Sequence, residues 1–502
     1  MASLQPDPLP SYASDPPRGV VTAEVTRALR RTLGRERVIA TPEELIAYEY
    51  DGTIERGRPQ AVVFPETTEQ VAAAVRVAAH FDVPITPRGA GTGLSGGAVA
   101  AAGGVVVALT RMNRIISIDP VDRLAVVQPG VVNLDLSRTA APYGLYYAPD
   151  PSSQRACTIG GNIAENAGGP HCLAYGMTTN HVLGLEVVLA DGEVVEVGGD
   201  SRDVPGYDLT GALVGSEGTL AIVTEATVRL LRMPESTRTL LAIFDAVDDA
   251  SNCVSTIIAS GILPSALEMM DRNVIAAIEP VINAGFPLDA EAILLIEVDG
   301  LEEGTEEDAR IIEKVCRSHR AREVRVAVAQ ADRDLLWAGR KTSISALGRL
   351  FPNYYVLDGV VPRTRLPEVL RQTYDVAARY DLAVANVFHA GDGNLHPNLL
   401  FDERVPGATE RVLAAGAEIM RICVDAGGSI TGEHGVGLEK RDYISWIYSE
   451  ADLAAMAALK RAFKAHDLYN PCKAFPTHRG CGEVSQARIA KLSAKLGEDV
   501  YV

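Results

Sequence analysis

The chain has 502 residues, 47% hydrophobic and 22% charged, with a net charge of −18. That length exceeds what one core accommodates, so two or three domains are expected. The acidic balance argues against nucleic acid or an anionic membrane surface as a main partner, and no apolar run is long enough to span a bilayer. Seven cysteines are scattered at 157, 172, 253, 316, 423, 472 and 481 without a CxxC pair. Reduced thiols are expected, with no cysteine-ligated iron–sulfur cluster in this chain. Residues 1–19 lack the basic and apolar regions of a signal peptide, so an irregular arm and a cytoplasmic location are expected.

In chain order, Val25, Leu29 and Leu33 recur at helix spacing, and Thr41-Pro42-Glu43-Glu44 opens a short second helix. Ala61 to Phe64 reads as a strand, Thr67 to Gln70 as a capping box, and Val71 to Ala79 as an amphipathic helix. Val83 to Thr86 is the next strand, which makes a βαβ unit with a parallel pair. It delivers Pro87 to Ala98, five of whose twelve residues are glycine, at the carboxyl end of a strand. Backbone N–H groups there can converge on a diphosphate. The loop is neither the dinucleotide fingerprint nor a P-loop.

Short strands follow at 105–109, 115–118 and 124–128. Ala148 to Ser153 is too proline-rich for a helix, and Thr158 to Gly169 is a second glycine-rich element. A hairpin about Asp191-Gly192 joins 185–189 to 194–197, and Gly215 to Leu220 gives a third glycine turn before a strand at 221–231. Three such loops at strand boundaries point to one elongated cofactor. From about 237, strands and helices alternate up to 328, as in a sheet covered by helices on one face.

Phe388 to Asn398 contains Asp392-Gly393, a strong two-residue hairpin signal. A turn there makes His389 and His396 direct cross-strand partners, with Cβ atoms roughly 5 Å apart. Asn398 shares their face. Further on, glycines flank Glu433-His434. Two histidines and a glutamate suit a divalent metal with open positions, which leaves His434 as a base. Arg340 is a candidate carboxylate clamp, and the adjacent Lys341 competes for that role. A metallohydrolase would explain the metal set but would leave three glycine loops idle. A non-catalytic cofactor-binding subunit would leave the histidines idle.

Pro87–Ala98, Pro149–Ser153, Thr158–Gly169, Gly215–Leu230, His389–Asn398 and Gly428–Gly437 together resemble the vanillyl-alcohol-oxidase-type flavoproteins of the 2-hydroxy-acid dehydrogenase branch. That branch includes FAD-linked subunits of bacterial glycolate oxidases, D-lactate dehydrogenases and D-2-hydroxyglutarate dehydrogenases. The resemblance runs from about 40 to 476. It implies an α+β chain: an N-terminal arm and helices (1–53), a two-subdomain PCMH-type FAD-binding domain (54–233), an FAD-linked oxidase C-terminal substrate domain (234–476) and a tail (477–502).

It further implies that Arg88, Gly89, Ala90, Gly91, Thr92, Gly93, Leu94, Ser95 and Gly96 wrap the FAD diphosphate. Pro149, Ser152, Thr158, Gly160, Gly161, Asn162, Ala167, Gly168, Glu217, Gly218 and Ile222 would line the rest. His389, His396 and Glu433 would hold a divalent metal (zinc, manganese or iron). His434 would be the base, and Arg340 and Asn398 would contact a small 2-hydroxy acid. No histidine lies between 81 and 170, so FAD is expected to be non-covalent. Tyr354 to Asp358 lacks the lysine of the hydroxyglutarate-type relatives, which favours glycolate or lactate. The implied partners are a second FAD-binding subunit and an iron–sulfur subunit, in a complex peripheral to the inner face of the cell membrane.

Overall fold

The computed structural model describes residues 19–201, 205–463 and 468–475. The expected arm, apart from Gly19, and the tail lie outside them. Helix α1 (Ala23–Leu33) is capped by Thr22, whose side chain accepts from the Val25 amide. Strand β1 (Val38–Ile39), helix α2 (Pro42–Leu45), strand β2 (Ala61–Val63), helix α3 (Thr68–His80), β3 (Ile85–Arg88) and β4 (Val105–Ala108) follow. The sheet order is β1-β2-β4-β3, so β4 inserts between the two strands expected to pair, and each runs parallel to it. The Val105–Ala108 run is buried throughout, as a central strand must be. Half of the expected capping box forms: Thr67 accepts from the Gln70 amide, while the Gln70 side chain accepts from Glu66 N–H. Val25, Leu29 and Leu33 pack with the apolar stripe of α3. Each such fully buried side chain contributes roughly 1.5–3 kcal/mol.

A second sheet has the order β5-β6-β10-β8-β9, from β5 (Ile115–Asp119), β6 (Leu124–Val127), β8 (Val182–Val188), β9 (Val194–Gly198) and β10 (Ile222–Arg229). Helices α4 (Asn133–Ala140), α5 (Ile159–Glu165), α6 (Cys172–Tyr175) and α7 (Leu209–Leu213) sit in its connections, and β7 (Leu145–Tyr146) pairs with β11 (Leu231–Arg232). The β8–β9 hairpin turns at Asp191-Gly192 as expected.

The third sheet begins at β12 (Ser236–Phe244) and is antiparallel. Helix α8 (Val247–Ala259), β13 (Ala266–Asp271), α9 (Arg272–Ile282), β14 (Ala292–Gly300), α10 (Glu302–Ser318), β15 (Glu323–Ala327) and α11 (Gln330–Leu347) alternate along it. Then come β16 (Asn353–Val356), β17 (Gly359–Val360), α12 (Leu366–Arg379), β18 (Ala383–His389), β19 (Asn394–Leu395), β20 (Pro397–Phe401), α13 (Ala408–Asp425) and α14 (Glu450–Ala462). Helices cover both faces, not one. Leu240, Ala242 and Phe244 pack with α8, α10 and α12, whereas Leu241 and Ile243 pack with α9 and α11. Both alternating sets on β12 are apolar, which is the signature of a two-sided core. A further correction concerns the expected reduced thiols: Cys472 is disulfide-bonded, whereas Cys157, Cys172, Cys253, Cys316 and Cys423 are free.

The two halves are pinned by buried charge. His171 Nδ1 lies 2.9 Å from Asp150 and Nε2 lies 3.1 Å from Glu297, and its ring leans on Trp337. Burial opposes the charged imidazolium, but the two carboxylates outweigh it and raise its pKa to about 10. The stabilisation is therefore complete below about pH 6.5, declines above it, and is gone once pH passes about 10. His171→Ala is expected to cost about 3 kcal/mol at pH 6.5. Urea denaturation should show the gap from the parent protein narrowing by roughly pH 9.

Candidate active site

The two glycine-rich elements and the third turn meet the histidine cluster in one cavity of about 380 Å³. Gly89, Ala90, Gly91, Thr92, Gly93 and Leu94 line it from the first loop; Gly91 has φ +73°, a conformation that a side chain would strain. Ser152 lines it from the proline-rich stretch, Thr158, Gly161, Asn162, Ala167 and Gly168 from the second element, and Glu217 and Gly218 from the third. Arg88, Gly160 and Ile222 border a smaller adjoining cavity. Three expected cofactor residues reach neither wall. Ser95 donates to Glu165, Gly96 packs on Leu438, and the Pro149 carbonyl accepts from Asn133.

The wall fits a large polar ligand. Asn162 is buried, yet its Nδ2 donor has no partner among the described residues. A Cβ on Gly161 would meet only the Thr158 hydroxyl, at 3.4 Å.

At the other end of the cavity stand His389, His396, Glu433 and His434 with Arg340, Lys341 and Tyr354. His389 and His396 share a face, but the register differs from expectation. His389 pairs with Asn394 across a four-residue turn, 390–393, so His396 is its diagonal neighbour. Their ring centroids are 5.1 Å apart. Both Nε2 atoms point at one oxygen, Glu433 Oε1, each at 3.1 Å. Their second nitrogens are occupied as well: His389 Nδ1 by Glu268 (2.8 Å) and His396 Nδ1 by the Leu357 carbonyl (3.2 Å). Imidazoles oriented by a carboxylate or carbonyl behind them, with converging front nitrogens, form a donor set that could hold a divalent metal. The site is buried, which opposes charge on Glu433, but the two histidines keep its carboxyl well below the usual range. On His389, Glu268 and Glu433 outweigh burial and favour the imidazolium.

His434 stacks on His396, with ring centroids 4.8 Å apart and planes inclined by 6°. Its Nδ1 has no hydrogen-bond partner among the described residues. Burial depresses its pKa to about 4 despite the nearby Asp358 carboxylate. The backbone N–H groups of both Glu433 and His434 donate to Asp358, which Lys440 and Thr431 also engage. Desolvation of Asp358 is overcome chiefly by Lys440, which holds its carboxyl ionised.

Arg340 is buried and lines the cavity, but its Nε and Nη2 are committed to Glu268 Oε2 at 2.7 and 2.6 Å, which leaves Nη1 for a ligand. Asn398 does not line the cavity. Its amide donates to the Ala385 and His396 carbonyls, behind the histidine.

Sequence reasoning missed Glu268, the direct cross-strand partner of His389 on β13, and Asp358, just beyond β16. The only local signal was a lone acid ending or interrupting an apolar strand.

A family model described as "FAD binding domain" matches residues 59–198, and one described as "FAD linked oxidases, C-terminal domain" matches 233–474. These matches place the chain among two-domain FAD-linked oxidoreductases. Glycolate oxidase subunit GlcD of Escherichia coli K12 is 48% identical over 466 residues, 93% of each chain. GlcD of Bacillus subtilis strain 168 is 42% identical, covering 91% of this chain and 97% of its own, and a D-lactate dehydrogenase of Anaerostipes hadrus is 35% identical, covering 83% and 90%. The chain belongs to the FAD-linked oxidase family that includes the GlcD subunits. A structure of p-cresol methylhydroxylase shares the fold, with a TM-score of 0.78 at 18% identity over 93% of this chain and 99% of that one.

Gly161→Val is expected to fold, because its new side chain points into open cavity, and to purify without flavin. Absorbance near the flavin bands and apo-protein melting check both halves of that outcome.

Proposed function

We propose that the protein oxidises a small 2-hydroxy acid, glycolate in the first place, to the 2-oxo acid with FAD as electron acceptor. The observation that carries this reading is the single cavity that joins the glycine loops to His434, Arg340 and the His389–His396–Glu433 trio. The identity to GlcD subunits supports glycolate, and that to D-lactate dehydrogenases supports D-lactate as the second substrate.

FAD, when bound, supplies a two-electron acceptor for the hydride that leaves the substrate carbinol carbon. His389, His396 and Glu433 would hold a divalent cation, which would supply Lewis acidity toward the substrate hydroxyl. Arg340, oriented by Glu268, binds the carboxylate through Nη1. His434 is held uncharged by burial and takes the hydroxyl proton on a free nitrogen. Asn398 fixes the backbone behind His396. Tyr354 stands in the wall without a cation on its strand, which suits a short acid rather than a dicarboxylate.

The chain works as one subunit of a complex with a second FAD-binding subunit and an iron–sulfur subunit, cytoplasmic and peripheral to the membrane. Support for partner subunits comes from the subunit status of the GlcD relatives.

Turnover with an artificial electron acceptor should rank glycolate and D-lactate above D-2-hydroxyglutarate; equal rates with all three contradict the small-acid reading. His434→Ala should retain FAD and lose turnover by about 10²–10⁴-fold. Because the free base is the working form, kcat should be flat from about pH 6 to 8 and fall only on the acid side. Chelation should abolish turnover and leave FAD in place. Restoration by one of zinc, manganese or iron, quantified by elemental analysis, checks the metal assignment.

A further inference from the structure

Residues 468–475 belong in sequence to the C-terminal half, yet several of their hydrogen bonds reach the cofactor-binding half. Ile85 N–H donates to the Leu468 carbonyl (2.8 Å) and Asn470 N–H to the Ile85 carbonyl (2.7 Å), so Tyr469 sits as a parallel bridge on β3, the strand that leads into the first glycine loop. The Tyr469 hydroxyl donates to the carbonyls of Val188 and Leu189.

The next side chains reach the loops themselves. Asn470 Nδ2 donates to the Gly97 carbonyl at 3.0 Å and to the Glu217 carbonyl at 2.7 Å, and so ties the first glycine loop to the third turn. Lys473 Nζ donates to the same Gly97 carbonyl at 2.6 Å and to Asn470 Oδ1 at 2.5 Å. Both side chains are buried, at 1% and 2% exposure. The Lys473 amine, whose pKa burial lowers to about 7, also faces Asp51, Glu165 and Glu217, with Arg88 opposing its charge.

The backbone is held against its preference. Asn470, Cys472 and Ala474 have φ of 45°, 72° and 66°, and Glu217 on the other side of the tie has φ 53°. Such residues persist only where surrounding bonds over-determine them, and they cluster at ligand clamps. The tie extends to the catalytic side. Glu217 accepts from the N–H groups of Val436 and Gly437, and Ala474 N–H donates to the Gly437 carbonyl.

We propose that Asn470 and Lys473 are positioning residues for the cofactor: they lock the first glycine loop to the third turn, so that the FAD cradle is formed before FAD enters it. The energy spent on ordering those loops is then not drawn from FAD binding.

The test uses the full chain with FAD removed. Asn470→Asp keeps shape and left-handed tolerance but replaces the donor by an acceptor facing two carbonyls, and Lys473→Met keeps length without the amine donor. In each, the dissociation constant for FAD, read from flavin fluorescence, should rise by about tenfold or more. The apo-protein should melt below the parent apo-protein, because it loses a tie it already holds, and the rise in melting temperature on adding FAD should shrink. Should Lys473→Met fail to fold, Asn470→Asp decides alone. FAD affinity within twofold of the parent, or an apo-protein destabilised while its FAD-induced rise is unchanged, would assign the segment a structural role only and overturn the proposal.

Discussion

The pocket depends on one buried carboxylate. Glu268 is fully excluded from water, and a charge in that position costs several kcal/mol unless it is fully paired. It is paired twice, by Arg340 and by His389. The pairing keeps its carboxyl below the usual range in spite of desolvation. Each partner is thereby fixed in direction. The guanidinium presents its remaining nitrogen, and the imidazole turns Nε2 toward Glu433. The free Nη1 of Arg340 and the Nε2 of His389 thus share one anchor on β13, a central strand of the third sheet. Removal of either partner strips Glu268 of one of its two pairings, so the directions of Arg340 and His389 are coupled.

A comparable logic closes the seam between the halves. Glu217, on the cofactor side, accepts two backbone N–H groups of the loop that carries His434, and Asp358 accepts two more from Glu433 and His434. His434 therefore sits on a loop whose backbone is held from both sides. His171 adds a charged pin at a second point. Chemistry at the junction of two domains needs this arrangement, because a misplacement of about 1 Å between reacting groups costs orders of magnitude in rate.

Local motifs were legible in the sequence because their chemistry is contiguous. The glycine loops announce themselves by composition, and His389, His396, Glu433 and His434 lie within two short glycine-bounded stretches. What failed was the geometry between elements. The turn before His396 takes four residues rather than two, since the chain forms a wider loop at 390–393, and the shared face survived only because the slip was an even number of residues. Strand β4 enters between β2 and β3 because its wholly apolar run needs neighbours on both sides. Glu268, Asp358, Asn470 and Lys473 were invisible because each acts on a partner tens to hundreds of residues away, and no spacing rule reports such a contact.

The central claim is that one pocket both activates a 2-hydroxy acid and hands its electrons to FAD. Anaerobic stopped-flow absorbance of the FAD-loaded protein, mixed with glycolate and with glycolate deuterated at C2, tests it most directly. The account predicts bleaching of the flavin within the turnover time, and slower bleaching with the deuterated acid. A fully oxidised flavin that no small 2-hydroxy acid reduces would contradict it.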